Sequence, residues 1–349
     1  MPRNDEEASL KPYDRGIPML QTLPQHLQIA KVLHSELEKV EVIFSRQLES
    51  DLPFVNQLTD HVDRYRGKML RPTLLLLTAM TVEGDPCDGS AISPRHRTIA
   101  TVLEMIHMAT LVHDDVLDEA DFRRRGATIS SLRGNEMAVM LGDYLISNAF
   151  HLCSTEGESS LNELIGSVTN MVCEGELLQL SNRDNLDLSI ETYFEILRRK
   201  TAVLVGACCR LGAVISNAPD EVVDAADRFG CGLGIAFQIQ DDLLDLLGDR
   251  ETVGKSTGRD LDTGKLTLPV LLFLDSATED QRSRMRHLLE SREDGELRQI
   301  LVDSGAVAQA YARAEGLVEQ AKQELSMFPD SSGRDLLHSL ADAVVTRTS

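Results

Sequence analysis

The chain of 349 residues contains no tryptophan, and aromatic side chains make up only 4% of it. Hydrophobic residues nevertheless reach 42%, so leucine, alanine and valine must supply the core, as is typical of helical bundles. Long apolar runs are also missing, since residues 73–80 and 270–274 fall far short of the roughly 20 residues of a membrane span. We therefore expect a helical protein with no transmembrane segment.

Positive charge is scarce, because 35 Lys and Arg residues stand against 56 Asp and Glu residues, giving a formal net charge of -21. This balance argues against nucleic-acid binding and against an anionic membrane surface. The six cysteines show no CxxC or Cys/His metal spacing, which favours reduced, buried thiols. Residues 1–14 are charged and lack the apolar stretch of a signal peptide. We expect a cytoplasmic protein that draws in any anionic substrate through a local basic patch or a bound metal.

Two segments share one all-aspartate pattern. The first cluster is Asp114, Asp115 and Asp118, and the second cluster is Asp241, Asp242 and Asp245. On a helix, this spacing places the carboxylates on one side of about one turn, where they repel each other. Hard divalent cations remove that repulsion, and oxygen ligands suit Mg²⁺. One acidic pattern arises by chance in so acidic a chain, whereas two matching copies indicate a magnesium site that grips a diphosphate.

Apolar residues recur at helical spacing through most of the chain. The predicted helices include residues 23–48, 54–65, 97–121, 134–152, 161–180, 190–216 and 221–247. No strand-like alternation of any length and no linker interrupts them. The pattern predicts one all-α domain of about ten to thirteen helices over residues 21–349, preceded by a disordered tail over 1–20. The polar loop 248–264 is interpreted as a lid, because loops of that length are usually functional or disordered.

Some polar residues outside the aspartate clusters also indicate a site. Lys68 and Arg71 lie three residues apart at a predicted helix start and converge on one spot. His107 lies two turns before the first cluster, on the same helix face. Glu104 and His107 have the Glu-x-x-His spacing of di-iron bundles, but those bundles need a second copy, and the sequence has none.

The order of these and other motifs resembles the trans-type polyprenyl diphosphate synthases over about residues 27–345. The matching motifs are Gly67-Lys68-x-x-Arg71-Pro72, both aspartate clusters, Gly142-Asp143-Tyr144, Gly175-Glu176-x-x-Gln179, Lys200-Thr201, Phe237-Gln238, and Lys255 with Gly264-Lys265-x-Thr267-x-Pro269. The resemblance implies an all-α, single-domain antiparallel helix bundle around a central cavity, the isoprenoid synthase fold. It implies that the two clusters face each other at the cavity mouth.

The resemblance also implies an activity: head-to-tail condensation of isopentenyl diphosphate with geranyl, farnesyl or geranylgeranyl diphosphate by a homodimer. About three Mg²⁺ ions would be bound by the six clustered aspartates, with Asp114, Asp118 and Asp241 as direct ligands. The implied catalytic residues are Asp114, Asp115, Asp118, Lys200, Thr201, Gln238 and Asp241. The implied contacts of isopentenyl diphosphate are Lys68, Arg71, His107 and Arg124. The implied contacts of the allylic diphosphate are Arg123, Lys200, Gln238, Lys255 and Lys265.

Product length should depend on what blocks the cavity below the first cluster. Family members that stop at short products commonly carry a bulky aromatic residue five positions before the first aspartate. That position is Ala109 here, with Thr110 beside it and Met105 about a turn deeper. The small side chain predicts an open tunnel and a long product of about six to ten isoprene units. The floor could instead be set by the helix segment 145–149.

Three alternatives remain open at this stage. A synthase of short products is the nearest one. A class I terpene cyclase is disfavoured by the second all-aspartate cluster and by Lys68 and Arg71, which a cyclase does not need. A non-catalytic subunit of a heteromeric synthase is disfavoured because both clusters are intact. The stretch Arg123-Arg124-Arg125-Gly126-Ala127-Thr128 departs from the Arg-Arg-Gly-Lys-Pro-Thr common in the family, and Arg125 is an unexplained extra charge.

Overall fold

The computed structural model describes residues 27–62, 67, 69–84, 89–123, 126–248, 259–291 and 294–346. These residues form sixteen α-helices: α1 (Leu27–Gln47), α2 (Pro53–Val62), α3 (Leu70–Val82), α4 (Pro94–Leu117), α5 (Ile129–Arg133), α6 (Asn135–Ser154), α7 (Ser159–Ser181), α8 (Ile190–Leu197), α9 (Val203–Ile215), α10 (Asp220–Leu247), α11 (Arg259–Asp262), α12 (Leu268–Ser276), α13 (Glu279–Ser291), α14 (Asp294–Asp303), α15 (Ala306–Glu324) and α16 (Ser332–Thr346). The all-α prediction is confirmed. The predicted tail 1–20 and the residues Lys68, Arg124, Arg125 and Lys255 lie outside the described residues.

Four short elements depart from the predicted pattern. A π-helix, Arg198–Ala202, joins α8 to α9, where the sequence predicts one continuous helix over 190–216. The two-residue strands β1 (Phe122–Arg123) and β2 (Gly126–Ala127) pair antiparallel just after α4. Helix α11 falls inside the segment 248–264 that was predicted to be a loop. Very short helices such as α5 and α11 raise the count above the predicted ten to thirteen.

The core consists of two apolar clusters that meet along α10. The larger cluster is built from side chains of α1, α3, α4, α6, α7, α9, α10 and α16. The smaller cluster is built mainly from α8, α10, α12, α13, α14 and α15. Every residue of α3 from Pro72 to Thr81 is buried, which explains the continuous apolar run in this helix. No helix within the described ranges is long and apolar enough to cross a membrane.

Glycines allow α10 to approach α9 and the π-helix closely. A Cβ at Gly230 would lie 2.7 Å from the Cα of Gly206, and a Cβ at Gly234 would lie 2.7 Å from the Cα of Ala202. Real side-chain carbons do not tolerate such distances, so these positions need glycine while the helices keep this spacing. The close packing fixes α10, which carries the second aspartate cluster, against the segment that carries Lys200 and Thr201.

Candidate active site

The first aspartate cluster lies where α4 ends. Asp114 and Asp115 are in its last turn, and Asp118 is the residue that caps it. The chain then reverses, because Glu119 adopts a left-handed conformation with φ of 49°. The backbone N–H of Ala120 donates to the carbonyl of Asp115 at 2.8 Å, which closes the turn. The helix therefore ends at the cluster rather than near residue 121 as predicted.

The second cluster occupies the last two turns of α10. Asp242 is buried and accepts two hydrogen bonds, one from the Tyr193 hydroxyl at 2.7 Å and one from Nε2 of Gln238 at 3.0 Å. Asp245 accepts a hydrogen bond from the backbone N–H of Asp260 at 3.0 Å. Contacts from α8 and α11 therefore hold the carboxylates of this cluster in place.

Both clusters reach one cavity of about 210 Å³. Asp114 and Asp118 line it from the first cluster, and Asp242 lines it from the second. The other polar residues in its wall are Gln179, Asn182, Tyr193, Lys200, Thr201, Gln238, Asp260, Lys265 and Thr267. Apolar side chains such as Leu197 and Leu266 complete the wall. The structure thus brings together two acidic helix turns that are far apart in sequence.

Basic side chains pair with every carboxylate of the first cluster. The Lys200 ammonium lies 3.7 Å from Oδ2 of Asp114, and Nε of Arg123 donates to Asp115 at 2.8 Å. Lys265 donates to both carboxylate oxygens of Asp118. Arg183, on the turn after α7, donates to Oδ1 of Asp118 at 3.0 Å. The side of the cavity formed by α4 therefore carries acids and bases at contact distance.

The pKa values of the first cluster record these contacts. Burial raises the pKa of Asp114, and Lys200 only partly offsets that effect. Burial also acts to raise the pKa of Asp118, but Lys265 and Arg183 outweigh it, so the pKa of Asp118 is lowered. Burial acts to lower the pKa of Lys200, yet the nearby Asp114 and Glu176 raise it overall. Lys200 is therefore positively charged at neutral pH.

The second side of the cavity has an excess of acidic side chains. Burial raises the pKa of Asp242 to about 6, and Asp241 and Asp245 add to the shift. Burial and the carboxylates of Asp242 and Asp245 raise the pKa of Asp260 well above its usual value. Crowded oxygen donors of this kind suit a hard divalent cation, which removes the repulsion that raises these pKa values.

No three acidic, His or Cys side chains of the described residues lie close enough together to hold a metal ion by themselves. Mg²⁺ usually binds one or two carboxylates and takes its other ligands from water and substrate phosphates. A metal in this cavity would accordingly be shared between the aspartates and a bound diphosphate.

The π-helix places Lys200 and Thr201 in the cavity wall. Its wider turn is a feature often found at functional sites. Lys200 donates to Oε1 of Gln179 at 2.7 Å and pairs with Glu176. Thr201 donates to Oε1 of Gln238 at 3.1 Å. The predicted group Lys200, Thr201 and Gln238 is therefore brought together.

Helix α7 lies directly against this segment. A Cβ at Gly175 would lie 2.4 Å from the backbone nitrogen of Lys200, so glycine is required there for the close approach.

Several predicted residues do not line the cavity. Arg123 pairs with Asp115, which is 2% exposed, and Asp241 is half-buried beside the cavity. Arg71 is half-buried at the start of α3, where burial lowers its pKa and the nearby Glu104 acts in the opposite direction. Its Nε has no hydrogen-bond partner within the described part of the chain. Glu104 lies one turn from His107 on α4, so Arg71 and His107 lie near the same part of that helix.

The residues predicted to set product length lie in the packed core. Met105 and Ala109 are fully buried within the larger apolar cluster. Thr110 is half-buried and donates to the carbonyl of His107 at 2.8 Å. Neither Met105 nor Ala109 borders open space in this structure. The tunnel beside Ala109 and the role of these residues in product length stay predictions.

Five polar residues that hydrogen-bond to or pair with predicted site residues were not themselves predicted. Glu176 and Gln179 belong to a motif that the sequence does show, and Asp260 stands in a conspicuous polar loop. Tyr193 and Arg183 gave no sequence signal. An aromatic residue on an amphipathic helix and an arginine in a polar turn are ordinary features, and only the fold brings them to Asp242 and Asp118.

Comparisons with known proteins agree with this geometry. Residues 53–303 match the polyprenyl synthetase family model. The octaprenyl diphosphate synthase of Escherichia coli (strain K12) is 33% identical over 324 residues, which cover 92% of this chain and 98% of that protein. The short chain isoprenyl diphosphate synthase of Methanothermobacter thermautotrophicus is 34% identical over 296 residues, which cover 83% and 89%.

Solved structures extend the likeness to the whole fold. The polyprenyl synthase of Caulobacter crescentus CB15, crystallised in complex with calcium and isoprenyl diphosphate, is similar with a TM-score of 0.84 and 30% identity. The match covers 92% of this chain and 98% of that one. The similarity confirms that the helices of this chain are arranged as in isoprenyl diphosphate synthases.

Proposed function

The chain belongs to the polyprenyl synthetase family and is a prenyl-transferring enzyme, and we propose that it condenses isopentenyl diphosphate with an allylic diphosphate to build a long trans-polyprenyl diphosphate. One observation carries this proposal: the aspartate clusters of α4 and α10 line the same cavity, together with Lys200 and Lys265. Such a cavity can hold a diphosphate through metal ions on one side and ammonium groups on the other.

The carboxylates of Asp114, Asp118 and Asp241 would hold about three Mg²⁺ ions, as one or two carboxylates and the substrate oxygens suffice for each ion. Bound Mg²⁺ supplies Lewis-acid stabilisation of the negative charge on the leaving diphosphate. The calcium in the related Caulobacter crescentus structure supports a divalent ion in this role. Asp115, Asp242 and Asp245 would orient the ligands or add to them.

The basic residues stabilise the same leaving group. Lys200 and Lys265 already contact the first cluster, so their ammonium groups lie where the diphosphate would carry most of its charge. Arg123 acts on the site through Asp115, which it holds at 2.8 Å. Lys255 would add a further contact from the segment after α10. Together these charges allow the carbon–oxygen bond of the allylic substrate to break.

The residues around Gln238 face the carbocation that this step leaves. The Thr201 hydroxyl and the Gln238 carbonyl oxygen form one hydrogen-bonded group in the cavity wall, and their dipoles stabilise positive charge. The isopentenyl double bond then attacks the allylic carbon, a carbon–carbon bond forms, and a proton leaves to the departing diphosphate. Leu197 and Leu266 line the wall and help to exclude the water that would quench the cation.

The diphosphate of isopentenyl diphosphate would bind beside this cavity, at Lys68, Arg71, His107 and Arg124. Arg71 supports this assignment, because its buried Nε has no hydrogen-bond partner in the described ranges of the chain. A phosphate oxygen would supply the missing acceptor.

A long product of about six to ten isoprene units follows from the small Ala109 side chain. Relatives that make long and short products match at similar identity, so their names alone do not decide the length. Because Met105 and Ala109 are packed in the core, a growing chain has to displace side chains there, and a small residue makes that displacement less costly.

The direct test is to incubate the purified chain with isopentenyl diphosphate, farnesyl diphosphate and Mg²⁺, and to size the products by chromatography. We expect a series that ends near eight units and that chelation of the metal abolishes. Cyclic hydrocarbons would indicate a terpene cyclase, activity only with a second protein would indicate a non-catalytic subunit, and products of three or four units would indicate a short-chain enzyme. An inactive chain under all these conditions would contradict the proposal.

We also propose a homodimer. Val139, Met140 and Leu177 are large apolar side chains on α6 and α7 that are more than a third exposed. A second copy could cover such side chains. Light scattering after gel filtration should give twice the 38.6 kDa mass of one chain.

A further inference from the structure

Tyr193 joins two helices at the edge of the cavity. Its side chain comes from α8 and is 4% exposed, and its hydroxyl donates to Oδ2 of Asp242 on α10 at 2.7 Å. This hydrogen bond ties α8 to the second aspartate cluster.

The contact with Asp242 also orders the side chains of Gln238 and Thr201. Asp242 accepts from Tyr193 on one oxygen and from Gln238 on the other. Gln238 in turn accepts from Thr201 through Oε1, so the orientation of its amide is fixed. A break at the Tyr193 end would free Asp242 to rotate and would leave Gln238 with a mobile partner.

Ring packing does not account for these contacts. The Tyr193 ring packs edge-on against Phe194, with centroids 5.6 Å apart and an angle of 77°, and it belongs to the smaller apolar cluster. A phenylalanine would keep both features. A hydroxyl that serves only packing would need no aligned partner, whereas this one donates to a buried carboxylate at 2.7 Å.

We propose that Tyr193 is a positioning residue of the active site, whose hydroxyl fixes the carboxylate of Asp242 and, through it, the amide of Gln238. The proposal rests on the proposed function for its effect on rate, but the link itself is independent of that function. Tyr193 acts through Asp242 and has no part in bond making or breaking.

The test compares Tyr193→Phe with Tyr311→Phe, the same change on α15 at a half-buried tyrosine of the smaller apolar cluster. We expect kcat of Tyr193→Phe to fall roughly 10- to 100-fold and the Mg²⁺ concentration for half-maximal rate to rise roughly tenfold, as for lost outer partners of metal ligands. The KM for isopentenyl diphosphate should stay unchanged. Tyr311→Phe should match the wild type in all three.

Calorimetric titration with inorganic pyrophosphate in the presence of Mg²⁺ gives a readout without catalysis. Binding should be roughly tenfold weaker in Tyr193→Phe than in the wild type or Tyr311→Phe, because Asp242 loses the partner that orients it. If the wild type proves inactive, the proposed function fails, while weaker binding in Tyr193→Phe still supports the link. Unchanged binding, an unchanged Mg²⁺ requirement, or a fall in rate that only follows a lower melting temperature would overturn the positioning role.

Discussion

The ammonium group of Lys265 lies 2.9 and 3.0 Å from the two carboxylate oxygens of Asp118, although 147 positions separate the two residues in sequence. The contact joins the end of α4 to the segment before α12. The Lys265 side chain is 11% exposed, so the pair lies in a largely desolvated place where electrostatic interactions are strong. The first aspartate cluster therefore depends on a residue from the far end of the fold.

Removing this ammonium group should reduce kcat/KM for the allylic substrate by more than any loss of stability would explain. In Lys265→Met, kcat/KM for the allylic diphosphate should fall on the order of 100-fold, because a charged donor to the leaving group is lost. Lys322→Met is the control, since Lys322 pairs with Glu319 and Asp342 on the surface and should leave kcat/KM within about twofold. Steady-state kinetics on both variants measures the difference, and wild-type kcat/KM in Lys265→Met would exclude the assigned role.

Alanine substitutions at two glycines of α7 form a matched pair that tests how closely this helix approaches the π-helix. A Cβ at Gly175 would lie 2.4 Å from the backbone nitrogen of Lys200, whereas nothing lies within 4 Å of a Cβ at Gly166. Gly175→Ala should therefore destabilise the protein by about 1–3 kcal/mol and reduce activity by displacing Lys200. Gly166→Ala should be neutral or stabilise by up to about 1 kcal/mol. Urea denaturation and kinetics test both, and equal effects would contradict the close approach.

Much of this site could be predicted from the sequence, because its strongest signals are local. The paired aspartates of the two clusters and the neighbouring Lys200 and Thr201 are visible as motifs. The end of α10 was predicted correctly at residue 247, since apolar periodicity stops there. Local patterns therefore predicted the site residues that lie within one or two helical turns of each other.

The rest depended on contacts that periodicity does not encode. The π-helix Arg198–Ala202 adds a wider turn without changing the apolar pattern, so the sequence predicted an ordinary helix. The sequence predicted the end of α4 near residue 121. The left-handed turn that ends the helix is made by Glu119, and no glycine marks its position. Tyr193 meets Asp242 across 49 positions, and no local pattern reveals such a pair.

Substitutions at Ala109 test the product-length prediction. Ala109→Leu and Ala109→Tyr should shorten the product progressively, because each larger side chain resists the displacement that a growing prenyl chain requires. Both should also cost about 1–3 kcal/mol of stability through overpacking. Ala314→Leu, at a fully buried alanine of the smaller apolar cluster, should carry a similar cost without a change in length. Chromatographic sizing that finds wild-type lengths in both Ala109 variants would reject this position as the determinant.

His96 should make stability depend on pH. It is 2% exposed, and burial lowers its pKa from 6.5 to about 4. Below pH 6.5 the histidine is protonated in the unfolded chain but stays neutral in the folded chain. The free energy of unfolding therefore falls as the pH falls towards 4. Between pH 7.5 and 5.5 the free energy of unfolding should lose roughly 1 kcal/mol through this residue.

The comparison for this effect is between His96→Asn and His287→Asn, which changes an exposed histidine on α13. Urea denaturation at both pH values should show that the loss disappears in His96→Asn and persists in His287→Asn. The same pH dependence in the wild type and in both variants would show that His96 does not contribute.

The central claim is that the two aspartate clusters hold one metal-bound diphosphate between them. Calorimetric titration with inorganic pyrophosphate, with and without Mg²⁺, tests it most directly on the wild type, Asp118→Asn, Asp241→Asn and the exposed control Asp220→Asn on α10. We expect tight binding only with Mg²⁺ in the wild type and the control, and binding at least roughly tenfold weaker in each cluster variant. Pyrophosphate binding that is independent of Mg²⁺, or that survives unchanged when either cluster is altered, would contradict the claim.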